Sequence, residues 1–171
     1  MTSAVAPPNR ISHSTIREGI IAGAVGATGV ALWFLVVDLI AAHAFYTPER
    51  LGAALAATVG LHDLGLPVLV TGYTVFHYVA FAVIGIVVTA IVHRARSQPV
   101  ILAAAFLAFI VTEVGFYAFI ALLHATELLG SLTWPLIAIG NLIGALLMGY
   151  LLWRRHPGLG GAFDRAMSGR V

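Results

Sequence analysis

The chain has 171 residues, of which 60% are hydrophobic and only 9% are charged. Soluble domains carry about 25% charged residues, so this composition excludes an ordinary soluble protein. The absence of cysteine excludes disulfides, thiolate metal sites and a cysteine nucleophile. All nine basic residues are arginine, which excludes lysine-based chemistry. The arginines lie beside apolar segments, where they are expected to contact lipid headgroups and not nucleic acid.

Four apolar segments predict four membrane-spanning helices. In chain order they cover residues 19–45, 66–92, 99–123 and 132–153. Each segment exceeds the roughly 20 residues that cross the hydrocarbon core of a bilayer. The segments are continuous and lack the alternation of barrel strands, which favours helices. The predicted fold is therefore an all-α integral membrane protein, in which residues 1–171 form a single domain with a four-transmembrane-helix bundle.

The distribution of arginine predicts the orientation of this bundle. With a cytoplasmic N-terminus, the inner segments hold eight arginines and the outer loops hold Arg50 alone. Cytoplasmic segments of membrane proteins are enriched in arginine and lysine, so the tails 1–18 and 154–171 are both predicted to be cytoplasmic. The pattern indicates a multi-pass protein of a bacterial-type inner membrane or plasma membrane.

The loop after the first span contains a short predicted helix over about residues 48–59. Thr47 can cap this helix, with Pro48 at its first position and Glu49 in its first turn. The rest of the segment is mostly alanine and leucine, which predicts that it lies along the outer membrane surface.

Each predicted span carries one polar side chain well inside it. These side chains are Asp38, His77, Glu113 and Asn141. Counted from the outer end of each span at 1.5 Å per residue, their depths are about 10, 16, 15 and 14 Å. Ionisable groups at such depth are costly and generally mark functional sites. We expect the four groups to converge at one level in the outer half of the bilayer.

Helical phase predicts a polar path from this level to the outer surface. Glu113, Tyr117 and His124 share one face of the third span, and Tyr73 lies outward of His77 on the second. A proton or cation entrance needs such a path. The inner lining of a well-packed bundle would show the same pattern, and that alternative stays open.

The buried groups Asp38, His77 and Glu113 form a donor set for a divalent metal ion. Two carboxylates and one imidazole suit iron, manganese or zinc better than copper(I). Without a metal, a buried carboxylate takes up a proton or pairs with protonated His77. The sequence therefore leaves structural hydrogen bonding, metal or cofactor ligation, and proton handling as alternatives.

The histidines also bear on haem binding. His43, His62 and His124 are predicted at the outer face, where His43 and His124 can pair as haem ligands. His77 can pair with its copy across a dimer axis, but it differs from His124 by about 16 Å in depth, which excludes one haem between those two. The cytoplasmic histidines lie beside arginines and are predicted to be solvated: His13, His93 and His156.

Two GxxxG pairs predict close contacts between helices. Gly19 and Gly23 form one pair in the first span, and Gly140 and Gly144 form the other in the fourth. Small residues at this spacing let two backbones approach each other within a bilayer. The pairs are compatible with packing inside the chain, with a homo-oligomer and with a larger membrane complex.

No hydrolase, zinc-protease, P-loop or dinucleotide-binding motif is present, so an enzyme is not the favoured interpretation. The sequence predicts a small polytopic membrane protein whose buried polar site binds a cation, a proton or a cofactor. One alternative is a non-catalytic accessory or assembly subunit of a larger membrane complex. A further alternative is a metal-dependent membrane enzyme that uses the same site.

Overall fold

The computed structural model describes residues 13–95 and 134–156, and all regular structure in these ranges is helical. The helices are α1 (His13–Ile40), α2 (Tyr46–Thr58), α3 (Leu66–Ala95) and α4 (Trp134–Arg155). Within these ranges α1, α3 and α4 are long and apolar enough to cross a membrane. They fit the predicted multi-pass membrane protein, whereas the predicted span over residues 99–123 lies outside the described residues.

The first span ends five residues earlier than the predicted limit of residue 45, because the chain turns after Ile40. Ala42 and Phe45 have φ angles of 58° and 67°, in the left-handed region. A side chain with a Cβ is sterically disfavoured there, and a right-handed helix cannot continue through such a residue. Residues 41–45 are apolar apart from His43, so their composition gave no sign of the turn.

Glycines allow α1 and α3 to cross with their backbones in contact. A Cβ atom on Gly19 would collide with the backbone of Ile86, and one on Gly23 would collide with the carbonyl of Phe81. A Cβ on Gly85 would in turn collide with the backbone of Gly19. The predicted close contact of the first GxxxG pair is thus made inside the chain.

The last helix, α4, packs on the other side of α1. A Cβ on Gly144 would lie 2.9 Å from the Val30 side chain, so this glycine also sits in a close contact. The indole Nε1 of Trp33 donates a hydrogen bond of 2.9 Å to the carbonyl of Leu136. A small core joins all three long helices and contains Ala22, Val92, Met148 and Leu152.

A buried carboxylate connects α1 to the start of α2. Asp38 is only 3% exposed, and its carboxylate accepts two hydrogen bonds from Thr47, one from the backbone N–H at 2.9 Å and one from the hydroxyl at 2.7 Å. The prediction that Thr47 caps α2 is wrong, because Thr47 lies inside the helix and Phe45 occupies the N-cap position. Asp38 instead supplies an acceptor to the first turn of α2 from outside the helix.

On the surface of α2, Arg50 donates from Nε to the hydroxyl of Tyr46 at 3.4 Å. This contact raises the pKa of the guanidinium above its ordinary value, so Arg50 keeps its positive charge at physiological pH. The opposite side of α2 packs on α3, where a Cβ on Gly52 would collide with the Leu69 carbonyl.

The three long helices meet at one end of the molecule. Glu18 near the start of α1 contacts His93 in the last turn of α3 and His156 directly after α4. The direction of α1 is therefore opposite to that of α3 and α4. We call this end, defined by Glu18, His93 and His156, the converging end.

Candidate metal centre

Two imidazoles and one carboxylate come together at the converging end. The Nε2 atom of His93 lies 3.2 Å from Oε2 of Glu18, and Nε2 of His156 lies 2.8 Å from Oε1 of the same carboxylate. The ligand atoms of all three side chains lie within 4.8 Å of one another. These three residues form one polar cluster although they lie far apart in the sequence. Even the closest pair, His93 and His156, is separated by 63 positions (156 − 93 = 63).

Each side chain is positioned by a different helix. Glu18 directly precedes the crossing residue Gly19, so the close packing of α1 on α3 places it beside His93. His156 is held by its backbone N–H, which donates to the carbonyls of Leu152 and Trp153 at the end of α4. The two imidazole rings pack edge to face, with centroids 5.0 Å apart and an interplanar angle of 89°.

The second nitrogen of His93 also has a partner. Nδ1 lies 3.0 Å from the hydroxyl oxygen of Thr15, one turn before Glu18 on α1. If Nδ1 carries the proton and donates it to Thr15, the lone pair of Nε2 is directed at the cluster. Histidine ligands of metal ions are generally oriented by such a hydrogen bond on the nitrogen that does not bind the metal.

The facing atoms of the cluster need either a hydrogen-bond donor or a cation between them. A neutral imidazole nitrogen without a proton cannot approach a carboxylate oxygen at about 3 Å unless a proton or a metal ion lies between the two. The C-terminal ends of α3 and α4 add partial negative charge at the same place. Either an imidazole N–H that donates to Glu18 or a bound cation satisfies these contacts, and the two helix ends stabilise a bound cation.

The cluster is shielded from solvent but not sealed. The side chains of Glu18, His93 and His156 are 12%, 28% and 10% exposed, respectively. Exposed arginines flank them in sequence at Arg17 and Arg94. Because those guanidinium groups are exposed, solvent and salt screen their repulsion of a bound cation.

The donor set and its spacing fit a first-row divalent metal. A four-coordinate zinc ion with bonds of about 2.0–2.1 Å needs ligand atoms about 3.3 Å apart, so rotations that move the donor atoms by roughly an ångström would complete the site. Two histidines and one glutamate are a known combination for zinc, and two histidines with one carboxylate also bind non-haem iron(II). Three protein ligands leave at least one coordination position for water or a substrate.

The prediction that His93 and His156 are solvated is wrong, and Glu18 was missed altogether. The sequence feature that identifies them is their position at the ends of the predicted spans. Glu18 lies one residue before the first predicted span, His93 one residue after the second, and His156 three residues after the fourth. With alternating span directions, all three fall at the same predicted membrane boundary.

The structure places two residues of the predicted outer site on one cavity between α1 and α3. Asp38 and His77 both line this cavity of about 230 Å³, and Tyr73 lines it next to His77, with ring centroids 5.7 Å apart. His77 is buried and its Nε2 donates to the carbonyl of Ala27 at 3.1 Å. The carboxylate of Asp38 is hydrogen-bonded to Thr47.

The other predicted site residues are not brought into this cavity by the described part of the chain. Asn141 is half-buried on α4 and is not among the described residues that line the cavity. His43 and His62 are exposed on the loops on either side of α2. The remaining predicted residues lie outside the described ranges: Glu113, Tyr117 and His124. The convergence of four groups, the outward path, the metal site of Asp38, His77 and Glu113, and the haem alternatives therefore stay predictions.

Comparison of the chain with protein-family models, curated proteins and solved structures gives no match. The interpretation of both polar sites therefore depends on their own geometry.

Proposed function

We propose that the protein is a multi-pass membrane protein that binds one divalent first-row metal ion through Glu18, His93 and His156. The observation that carries this proposal is the meeting of three ligand atoms from three separate helices within 4.8 Å. This proposed site lies at the opposite end of the helices from the cation site that the sequence predicts in the outer half of the bilayer, and the outer site stays a prediction. Zinc and iron(II) suit the imidazole and carboxylate donors, and no thiolate is available for copper(I).

The same contacts support a fourth membrane crossing. His93 and His156 are neighbours, so α3 and α4 end on the same side. Because α4 has 22 residues and is about 33 Å long, it begins on the opposite side. The predicted span over residues 99–123 would connect the two sides. With both tails cytoplasmic, as the arginines favour, the metal centre faces the cytoplasm of a bacterial-type inner membrane or plasma membrane.

Metal titration of the purified protein tests this proposal. The full chain, carried on an affinity tag without histidine, is stripped of metal in detergent and titrated with Zn²⁺ against a chromophoric chelator. We expect one tight site per chain and a loss of at least about tenfold in affinity for Glu18→Gln, His93→Gln and His156→Gln, because each removes a ligand.

Matched substitutions elsewhere in the chain serve as controls. His43→Gln and Glu49→Gln remove an exposed imidazole and a carboxylate near α2, far from the converging end, and are expected to leave the affinity unchanged. Equal zinc affinity in His93→Gln and His43→Gln would refute the proposed site. Such a result would leave the cluster as a polar contact between helices, with a hydrogen bond between His93 and Glu18.

A further inference from the structure

A second polar site lies in the cavity between α1 and α3, and it shares no residue with the metal centre. The cavity has a volume of about 230 Å³, and most of its lining is aliphatic or aromatic. Its polar lining residues are Thr28, Asp38, Tyr73, Thr74, His77 and Tyr78. An apolar pocket with a few polar groups is the usual form of a small-molecule site.

Most hydroxyl groups that line the cavity already donate their proton to another group of the protein. Thr28 donates its only hydroxyl proton to the carbonyl of Ala24 at 2.8 Å. The contact of 2.9 Å between the Thr28 and Tyr78 hydroxyls must therefore be donated by Tyr78. Thr74 likewise donates to the carbonyl of Val70 at 2.7 Å. The oxygens of Tyr78 and Thr74 retain lone pairs that can accept a hydrogen bond.

The imidazole of His77 also provides a hydrogen-bond acceptor. Its Nε2 faces a carbonyl oxygen, so Nε2 carries the proton and Nδ1 of the neutral ring is an acceptor. The Asp38 carboxylate accepts two hydrogen bonds, which leaves it further lone pairs. Tyr73 is the exception among these side chains, since its hydroxyl has no hydrogen-bond partner within residues 13–95 and 134–156 and can still donate. The lining is therefore rich in acceptors and poor in donors.

We propose that this cavity binds a membrane-soluble phenol or quinol. Its aliphatic and aromatic walls match an apolar ring and tail, and its surplus acceptors match the hydroxyl protons of such a molecule. Thr28, Thr74 and Tyr78 are exposed on the surfaces of α1 and α3, so the cavity has an opening between these helices through which a ligand dissolved in the bilayer would enter.

The test compares three probes of nearly equal size. The full-length protein in phosphatidylcholine nanodiscs is incubated with a decyl-substituted hydroquinone, with its dimethyl ether and with the corresponding quinone, and empty nanodiscs measure partitioning into lipid. Only the hydroquinone donates hydrogen bonds. We expect it to bind at least about tenfold more tightly than the other two, as the loss of a hydrogen bond in a desolvated site predicts.

Two variants locate the binding in the cavity. His77→Phe keeps an aromatic ring beside Tyr73 but removes the acceptor, and should weaken hydroquinone binding by about tenfold. Ala31→Phe fills the cavity without changing a polar group and should abolish binding, which keeps the test valid if His77→Phe fails to fold. Tyr150→Phe, an exposed position on α4, is the control and should bind like the unaltered chain.

Three results would overturn the proposal. Equal binding of the hydroquinone and its dimethyl ether would show a site for apolar chains, such as lipid acyl chains, without recognition of donors. Binding that survives Ala31→Phe would place the ligand elsewhere. No binding above the level of empty nanodiscs would show that lipid or another part of the chain already fills the cavity.

Discussion

At the residue scale, the central feature is a carboxylate shared by two imidazoles. Glu18 presents one oxygen to His93 and the other to His156, at 3.2 and 2.8 Å. Each Nε2 atom must carry a proton or bind a cation, because otherwise the facing atoms would all be acceptors. A single divalent ion would bind all three ligands, whereas without a metal each of the two rings needs its own proton on Nε2.

Thr15 is a positioning residue for this site, because its hydroxyl oxygen lies 3.0 Å from Nδ1 of His93, the ring nitrogen that does not face Glu18. Thr15→Val removes the hydroxyl and frees the imidazole to rotate, so we expect zinc affinity to fall by about tenfold, the lower end of the effect for such supporting contacts. Chelator competition measures the change. Thr15→Ser keeps the hydroxyl and should restore most of the affinity. Equal losses in the two variants would show that Thr15 acts only through packing.

Asp38 has a structural role that is independent of any ligand. Its carboxylate satisfies a buried N–H and a buried hydroxyl of Thr47. Asp38→Asn replaces one acceptor oxygen with an amide group, which should lower the free energy of unfolding by about 1–3 kcal/mol. Denaturant unfolding in detergent micelles provides the measurement, and exposed Asp63→Asn is the matched control. Similar stability of the two variants would contradict this role.

At the scale of the elements, sequence patterns predict the long helices well and their ends less well. The apolar runs locate α1, α3 and α4, because apolar length is what a membrane span requires. They did not predict the turn after Ile40, because its residues apart from His43 are as apolar as those of the helix. The left-handed backbone at Ala42 is not visible in the composition. Local sequence predicted Thr47 as the cap of α2. In the structure Asp38, a residue of the preceding helix, accepts a hydrogen bond from the backbone N–H of Thr47 in the first turn of α2.

The crossing of α1 and α3 depends on glycine at defined positions. Gly23→Ala would place a methyl group against the Phe81 backbone, so we expect the helices to separate and the midpoint of thermal unfolding to fall by several degrees. Gly149→Ala on α4 meets nothing within 4 Å and should be neutral or stabilising, since alanine is favoured over glycine in a helix by about 1 kcal/mol. Equal destabilisation by both would contradict the glycine crossing.

At the scale of the whole molecule, the proposed metal centre is a consequence of helix direction. Glu18, His93 and His156 are far apart in sequence, and only the opposite direction of α1 to α3 and α4 brings them to one end. The sequence contained this information, because the arginine distribution and the predicted spans already place the three residues on one side. It did not contain the rotation of each helix about its axis, which decides whether the side chains face each other. For the predicted outer site, the sequence identified Asp38 and His77, and both residues line one cavity. It did not predict the hydrogen bonds that these two side chains make.

The most direct test of the metal centre is X-ray absorption spectroscopy of the zinc-loaded protein. The full chain, on a tag without histidine, is loaded with one equivalent of Zn²⁺ and freed of unbound metal. We expect scattering from two imidazoles, with nitrogen and oxygen ligands at about 2.0–2.1 Å, and we expect His93→Gln to lower the imidazole number by one or to abolish binding. Zinc that fails to remain bound, or an imidazole number that is unchanged in His93→Gln, would contradict the proposed centre.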